Sequence, residues 1–365
     1  MKKLILLTAV LCLTFVACQK NNAPQPETSP TSKSISPALA VSTDCLRRSR
    51  GTDVYITGIY QPASARPRAI YWKNGTIVNL APNGLGSEAF GIAVKGNDVY
   101  ITGDIIENNG ERHPVYWKNG VMRQLYPGPA TSFNSATYDI TLDGNDVYIV
   151  GDYNDFVNNT QAMLWKNGVP QILGYNPYGS SARAVKVKGS DVYAAGYSGI
   201  DVMANDIAAY WKNGVVHQLE NNQESGFAMG MALNGDDVYI AGETSPKPAY
   251  AATPRTAVYW KNGVRYNVQY NATAAAITIS NNNIYIAGSI LSDNNQDSQD
   301  TYWKNGVPTL VGDVEGGNFA LDIQVAGNDV YLLTEKLSTA ICYKNGVAGV
   351  TIPNVLGSRI LVVHH

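Results

Sequence analysis

The sequence predicts an all-β fold, a seven-bladed β-propeller of four-stranded antiparallel blades whose ring is closed by the C-terminal strand. Three observations predict it. The tripeptide Asp-Val-Tyr, once replaced by Asn-Ile-Tyr, begins at Asp53, Asp98, Asp146, Asp191, Asp237, Asn283 and Asp329, at intervals of 45 to 48 residues. A second marker, Lys-Asn-Gly, follows each of these at Lys73, Lys118, Lys166, Lys212, Lys261, Lys304 and Lys344. All 6 tryptophans, Trp72, Trp117, Trp165, Trp211, Trp260 and Trp303, stand directly before that lysine, with Tyr343 in the seventh place. A repeat of this length is one supersecondary unit that buries its faces only against its neighbours.

Each element follows from local chemistry. In the second unit, residues 89–94 form an apolar first strand, and Lys95-Gly96-Asn97-Asp98 is a turn into a second strand over 99–103. A variable loop leads to a third strand at 115–117. Asn119-Gly120 then accepts the positive φ of a tight type I′ hairpin, and residues 121–125 form the fourth strand. Four short strands with turn signals at even spacing make a blade. Pro170 and Pro308 fall in fourth strands, and proline, which has no ladder donor, is tolerated only at a free edge, so the fourth strand is the rim. The first strand therefore lines the axis, where Ala89, Ala182, Ala228, Ala274 and Ala320 suit the crowding. A blade has both faces buried, so its middle strands are apolar without alternation, and the tryptophans read as packing between blades. The segment before Asp53 is too charged for an axial strand, whereas residues 360–363 resemble one. They are expected to supply the missing inner strand of blade one.

Ahead of the repeats the chain starts with Lys2 and Lys3 and an apolar run over residues 4–17, the pattern of an export signal. Phe15-Val16-Ala17-Cys18 resembles the bacterial lipobox, with phenylalanine where leucine is usual, which implies lipidation of Cys18. Gln19 after the cysteine, by analogy with lipoprotein sorting, implies the outer membrane, facing the periplasm or the cell surface. The organisation expected is a signal peptide at 1–17, a lipidated tether at 18–45 and the propeller at 46–365. The tether is rich in Pro, Ser, Thr and Asn and cannot bury enough apolar surface to fold. Near-neutral charge, with 27 basic and 29 acidic residues, excludes the basic stripe that a nucleic-acid partner needs. Contact with a membrane is expected through the lipid alone, and the protein is expected to be a monomer. Of the 4 cysteines, Cys45 and Cys342 remain in the mature domain, either paired in an oxidising envelope or as two separate thiols.

The stretch from Tyr116 to Gly151, with its "YWKNG" turn, its Ser/Ala-containing "SFNSATYDITL" strand entry and its "DGNDVYIVG" hairpin, resembles the bacterial extracellular repeats of the HAF type, over nearly all of the mature domain. It is similar also to kelch repeats in marking each blade with a Tyr and a Trp, but only one glycine ends the second strand where kelch has two. These resemblances imply a fold and an extracytoplasmic setting and carry no catalytic residues across.

With both hairpin turns repeated almost unchanged, variation goes to the opposite face, where the loops between strands two and three emerge. Binding groups on a rigid scaffold are expected there. The candidates are Tyr60, Arg68, Asp104, Glu107, Arg112, His113, Asp152, Tyr153, Asp155, Tyr197 and Glu243, with Tyr175 and Tyr178 among further loop tyrosines. Planar amphipathic rings around one concavity suit a glycan or a protein ligand. Two loop carboxylates such as Asp104 and Asp152 would suit a polysaccharide-acting enzyme, and a purely structural envelope component is the third alternative. Asp139 and Asp322, on axial strands with Arg183 close by, are expected to face the channel or each other in a structural role. The oxygen-rich run from Ser292 to Asp300 lacks the glycine and spacing of a calcium loop and reads as exposed loop. His113, His217, His364 and His365 make no zinc set, no serine sits in a nucleophile elbow, and no metal or cofactor is expected.

Overall fold

The computed structural model describes residues 51–63, 65–80, 85–125, 134–154, 159–201, 206–220, 224–247, 254–292, 297–313 and 319–365. The signal, the tether, Cys18, Cys45 and Asp155 lie outside them. The described residues form seven four-stranded antiparallel sheets, six of them running in chain order from axis to rim and blade one starting from the last strand of the chain. The inner strands are Val355–His364 in blade one, then Gly86–Lys95, Ala136–Asp143, Ser180–Lys188, Glu224–Asn234, Ala272–Ser280 and Phe319–Ala326 in blades two to seven. The strands extend further toward the variable loops than the sequence suggests. In blade two the second strand runs Asp98–Ile106 and the third Arg112–Lys118.

Ring closure follows expectation and uses a longer strand. Val355–His364 pairs with Thr52–Tyr60 from Thr52↔His364 to Tyr60↔Val355. Blade one therefore takes its inner strand from the far end of the chain. The rim assignment holds as well: Pro170 pairs inward with Trp165 and Pro308 with Trp303, each on an outermost strand.

The two sequence markers are halves of one clasp. In blade two, Asn119 Oδ1 accepts the Val99 N–H at 2.9 Å and Asn119 Nδ2 donates to Asp98 Oδ1 at 2.7 Å. Lys118 Nζ bridges to Asp98 Oδ2 at 2.9 Å and stands 5.0 Å from the centre of the Tyr100 ring. The two asparagine bonds recur in all seven blades, as does the lysine over its tyrosine. Only in blade six, where Asn283 replaces the aspartate, does the lysine lack its acid. The asparagine sits at φ 52° and the glycine at φ 80° in this turn, the left-handed pair that a type I′ hairpin requires. The repeated phrase is frame: the clasp fixes the hairpin register through its asparagine bonds, while its exposed ion pairs, screened by solvent, add little.

Packing lies between blades. Trp117 shares a cluster with Ile101 and Val115 of its own blade and with Tyr55, Ala69 and Leu80 of blade one. The other five tryptophans are equally buried. Cys342 is buried at the junction of blades seven and one, beside Trp72 and Ile360.

Each inner strand carries a bulge opposite the glycine that ends the second strand. At Gly103 a Cβ would stand 2.0 Å from the Glu88 carbonyl oxygen and 2.9 Å from the Trp117 ring. In the six blades with this glycine, it lets the two backbones approach closely. Blade seven, with Thr334 in this slot, has the same register shift between Ala320 and Asp322.

Candidate functional site

The bulges build the site. The residue that each one leaves out of the ladder is Ser358, Phe90, Tyr138, Arg183, Met229, Ala275 and Leu321 in blades one to seven, with Gly91 also unpaired in blade two. All seven are half-buried, although their neighbours in the strands are mostly buried. They occupy equivalent places near the loop end of the inner strands, so they ring the mouth of the axial channel. No two are alike. Large side chains gather on blades two to four: Phe90 meets Tyr138 with centroids 6.0 Å apart, and the Arg183 guanidinium lies 3.8 Å over the Tyr138 ring.

A second circle lies behind this row, where each inner strand pairs with the residue after the conserved-slot glycine of strand two: Glu88 with Asp104, Ala136 with Asp152, Ser181 with Tyr197 and Phe227 with Glu243. Tyr197 stands edge-on to Phe227 at 5.2 Å and lies 5.6 Å from Arg183. The mouth over blades two to five is thus walled by Phe90, Tyr138, Tyr197 and Phe227 around one guanidinium.

The carboxylates of this circle turn into the protein. Asp104 is fully buried, accepts the Thr137 N–H of blade three at 3.1 Å and lies 3.5 Å from Arg112, which Glu88 grips with both oxygens. Asp152 accepts the Ser181 hydroxyl of blade four at 2.7 Å and the Tyr138 hydroxyl at 3.1 Å. Each ties its blade to the next. Burial raises the pKa of both, that of Asp104 well above the ordinary carboxylate value, against the pull of these bonds. Burial, and then the charge of Asp152, also pushes the Tyr138 hydroxyl up, so it serves as a donor and not as a base.

Several expected site residues sit elsewhere. Tyr153 is 8% exposed and packs with Met163 and Trp165, because an odd step along an extended strand turns it from the mouth into the blade interface. Asp104 and Asp152 are interior, as described. Glu243 is held by Arg255 at 2.6 Å, and burial raises its pKa. Tyr60 packs against the core of blades seven and one. Arg68, Glu107, Arg112 and His113 are half-buried along the loop face, with His113 3.9 Å from Glu111. Only Tyr197 reaches the aromatic mouth. Phe90, Tyr138 and Phe227 escaped the sequence reading, and Arg183 was read only as a neighbour of the axial acids. Their signal was the glycine ending strand two, which marks the bulge opposite.

Asp139 and Asp322 take the structural role expected of them at the channel. Asp139 accepts the Val185 N–H of the next inner strand at 2.9 Å, and Asp322 accepts that of Ile360 at 2.9 Å. They line a channel of about 400 Å³ with Lys186, Gln324 and Arg359. Ser298 and Asp300, expected in an exposed loop, are buried in a strand. A separate groove of about 410 Å³ lies by the loop between blades three and four, with Tyr175 and Tyr178 exposed beside Gln218. Asn176 fixes that loop by bonds to Gln161, Ser198 and Gly199.

The buried acids set a pH dependence. Burial raises Asp322 to about 6, aided by Asp139 and opposed by Arg359 and two N–H donors, and burial raises Asp300 to about 6, opposed by Thr334, Ser289 and Lys336. A carboxyl whose folded pKa exceeds its unfolded value of about 3.9 holds a proton only in the fold between those values, so stability falls as pH rises from about 4 through 6. Lowering pH from 7.5 to 5 is expected to add about 1.4 kcal/mol per group, read as a higher Tm, and Asp322→Asn to flatten the slope. The clasp aspartates, such as Asp98, lowered by Lys118 and Asn119, lose their pairing only below about pH 4 and do not act in this window. An equal or lower Tm at pH 5 would show that the buried acids are not raised.

No family profile and no curated protein matches the chain. Among solved structures, the puromycin-hydrolyzing peptidase of Mycobacterium tuberculosis aligns with a TM-score of 0.48 and 11% identity over 70% of this chain and 45% of that one. The periplasmic gluconolactonase PpgL of Pseudomonas aeruginosa gives 0.48 and 10% over 86% of this chain and 99% of that one. The polysaccharide lyase Uly1 gives 0.46 and 11% over 93% and 94%. The chain spans about half the length of the peptidase structures it matches, 45% to 50%. These likenesses concern the fold and bring no residue or activity with them.

Proposed function

We propose that the protein is a non-catalytic binding module of the bacterial envelope, lipid-anchored at Cys18, that takes a glycan at the mouth of its ring. The observation that carries this is the contrast between the two faces. One repeats the same clasp in seven blades, while the other presents seven unlike side chains at seven equivalent bulges. Phe90, Tyr197 and Phe227 offer flat apolar faces with few rotors, suited to the C–H face of a sugar ring, and the Tyr197 hydroxyl and Arg183, which Tyr138 backs, add polar groups beside them. Catalysis by paired carboxyl groups needs both acids to flank the scissile bond, whereas Asp104 and Asp152 are buried and each commits one oxygen to the neighbouring blade.

Screening the full chain against an oligosaccharide array and a panel of envelope proteins tests this. Tyr138→Ala and Tyr197→Ala are each expected to weaken glycan binding about tenfold, the equivalent of about 1.4 kcal/mol, with Tyr175→Ala in the distant groove unchanged. Product release from a polysaccharide, lost in Asp152→Asn with binding retained, would make the protein an enzyme instead. Neither binding nor turnover on a broad panel would leave a structural envelope component.

A further inference from the structure

Three arginines of blades two and five are held by carboxylates, whereas Arg66 reaches the backbone carbonyls of Ile106 and Glu107 and Arg68 has no ion pair among the described residues. Arg112 is gripped by Glu88, Arg255 by Glu243, and Arg265 by Glu220 and Glu224. Arg183 is different. Its guanidinium is stacked on Tyr138 at 3.8 Å and flanked by Tyr197 at 5.6 Å, and among the described residues no carboxylate lies in ion-pair range of it. Asp152, whose Oδ2 takes the Ser181 and Tyr138 hydroxyls, acts on it through space, and the guanidinium's hydrogen-bond partner is the neutral Tyr197 side chain. Arg183 also stands on a bulge at the mouth, where a ligand lying across the axis must pass it.

We infer that Arg183 determines specificity and that the glycan taken at the mouth is acidic, bearing carboxylate or sulfate groups that the guanidinium receives. This rests on the glycan-binding role proposed above. The planar fork donates two parallel hydrogen bonds to an oxyanion, and stacking on Tyr138 fixes its plane before the ligand arrives. The half-buried setting keeps the attraction from being screened as it is in open water. The aromatic walls on either side hold the sugar rings that carry the anion. A purely structural cation–π contact would need only a charge over Tyr138 and would not discriminate among ligands.

Calorimetric titration of the full chain with oligogalacturonate, a sulfated dextran oligosaccharide, a neutral dextran oligosaccharide and poly-glutamate decides the matter. Oligogalacturonate or sulfated dextran is expected to bind best, more weakly at higher salt, and which of the two binds identifies the anion. Arg183→Met is expected to weaken that affinity about 10- to 100-fold, Arg183→Lys to recover only part of it, and the weaker neutral binding to fall by a much smaller factor in either variant. Unchanged affinity for the acidic sugars in an Arg183→Met protein that melts like the parent overturns the inference. Neutral dextran bound as tightly as the acidic sugars overturns it while leaving the glycan role standing. Poly-glutamate bound as tightly as oligogalacturonate overturns the sugar as the source of the anion. Failure to bind any oligosaccharide removes the glycan role itself. Should Arg183→Met not fold, full affinity in Arg183→Lys overturns the inference and a partial loss supports it.

Discussion

Removal of residues 357–365 is expected to abolish the single cooperative unfolding transition of the propeller. The segment contributes most of the inner strand of blade one, including the pairs Gly58↔Gly357, Ile56↔Ile360 and Thr52↔His364. Ile360 is 1% exposed and packs with Trp72, Tyr331 and Leu333 across the junction of blades seven and one. Without it the second strand of blade one gains an open edge along the axis, and blade seven loses the apolar partner of its inner side. The loss is comparable to the whole net stability of a domain, about 5–15 kcal/mol, because every other blade depends on neighbours on both sides. Circular dichroism during heating measures it. A truncated chain with one sharp transition at the parental Tm would mean that the ring is not held by this strand.

Trp117→Ala is expected to cost about 3–5 kcal/mol, the usual range for emptying a fully buried aromatic site. The indole is 1% exposed and fills the space between blades one and two, against Tyr55, Ala69 and Leu80 on the far side. Its ring also lies under Gly103, so the surrounding backbone is too close-set to collapse into the void. Urea denaturation should show a lower midpoint with an unchanged m-value. Trp117→Tyr should cost much less, since Tyr343 fills the equivalent slot in blade seven at 8% exposure. As a control, Val169→Ala, at 68% exposure on a rim strand, should fall within about 0.5 kcal/mol of the parent. A loss from Trp117→Ala no larger than that of the control would show that the indoles are not the packing between blades.

The frame was legible in the sequence because its chemistry is local and repeated. Asn119 and Asp98 are 21 residues apart, and the two halves recur in every unit at offsets of 16 to 25, so the clasp leaves a visible period. Pro170 and Pro308 identified the rim by the donor they lack, and the like pattern of residues 360–363 to other inner strands identified the closing segment. The site was legible only in part. Asp104 bonds to Thr137 and Asp152 to Ser181, across blades and at separations of 33 and 29 residues, and no local pattern announces such ties. The bulge is subtler still. It shifts one residue per inner strand, two in blade two, off the alternation that a strand reading assumes, which hid Phe90 and Tyr138 within the inner strands and left Arg183 as a neighbour of the axial acids.

A side chain that stands outside the ladder can be exchanged without disturbing the hydrogen bonds on either side of it. Ser358, Phe90, Tyr138, Arg183, Met229, Ala275 and Leu321 already range from a hydroxyl to a guanidinium on one unvarying backbone. The ring is therefore a ready scaffold for combinatorial libraries: randomising these seven codons rewrites the recognition surface while the clasps and indoles stay untouched. Descent by gene duplication would meet the same freedom, acquiring new partners one letter at a time.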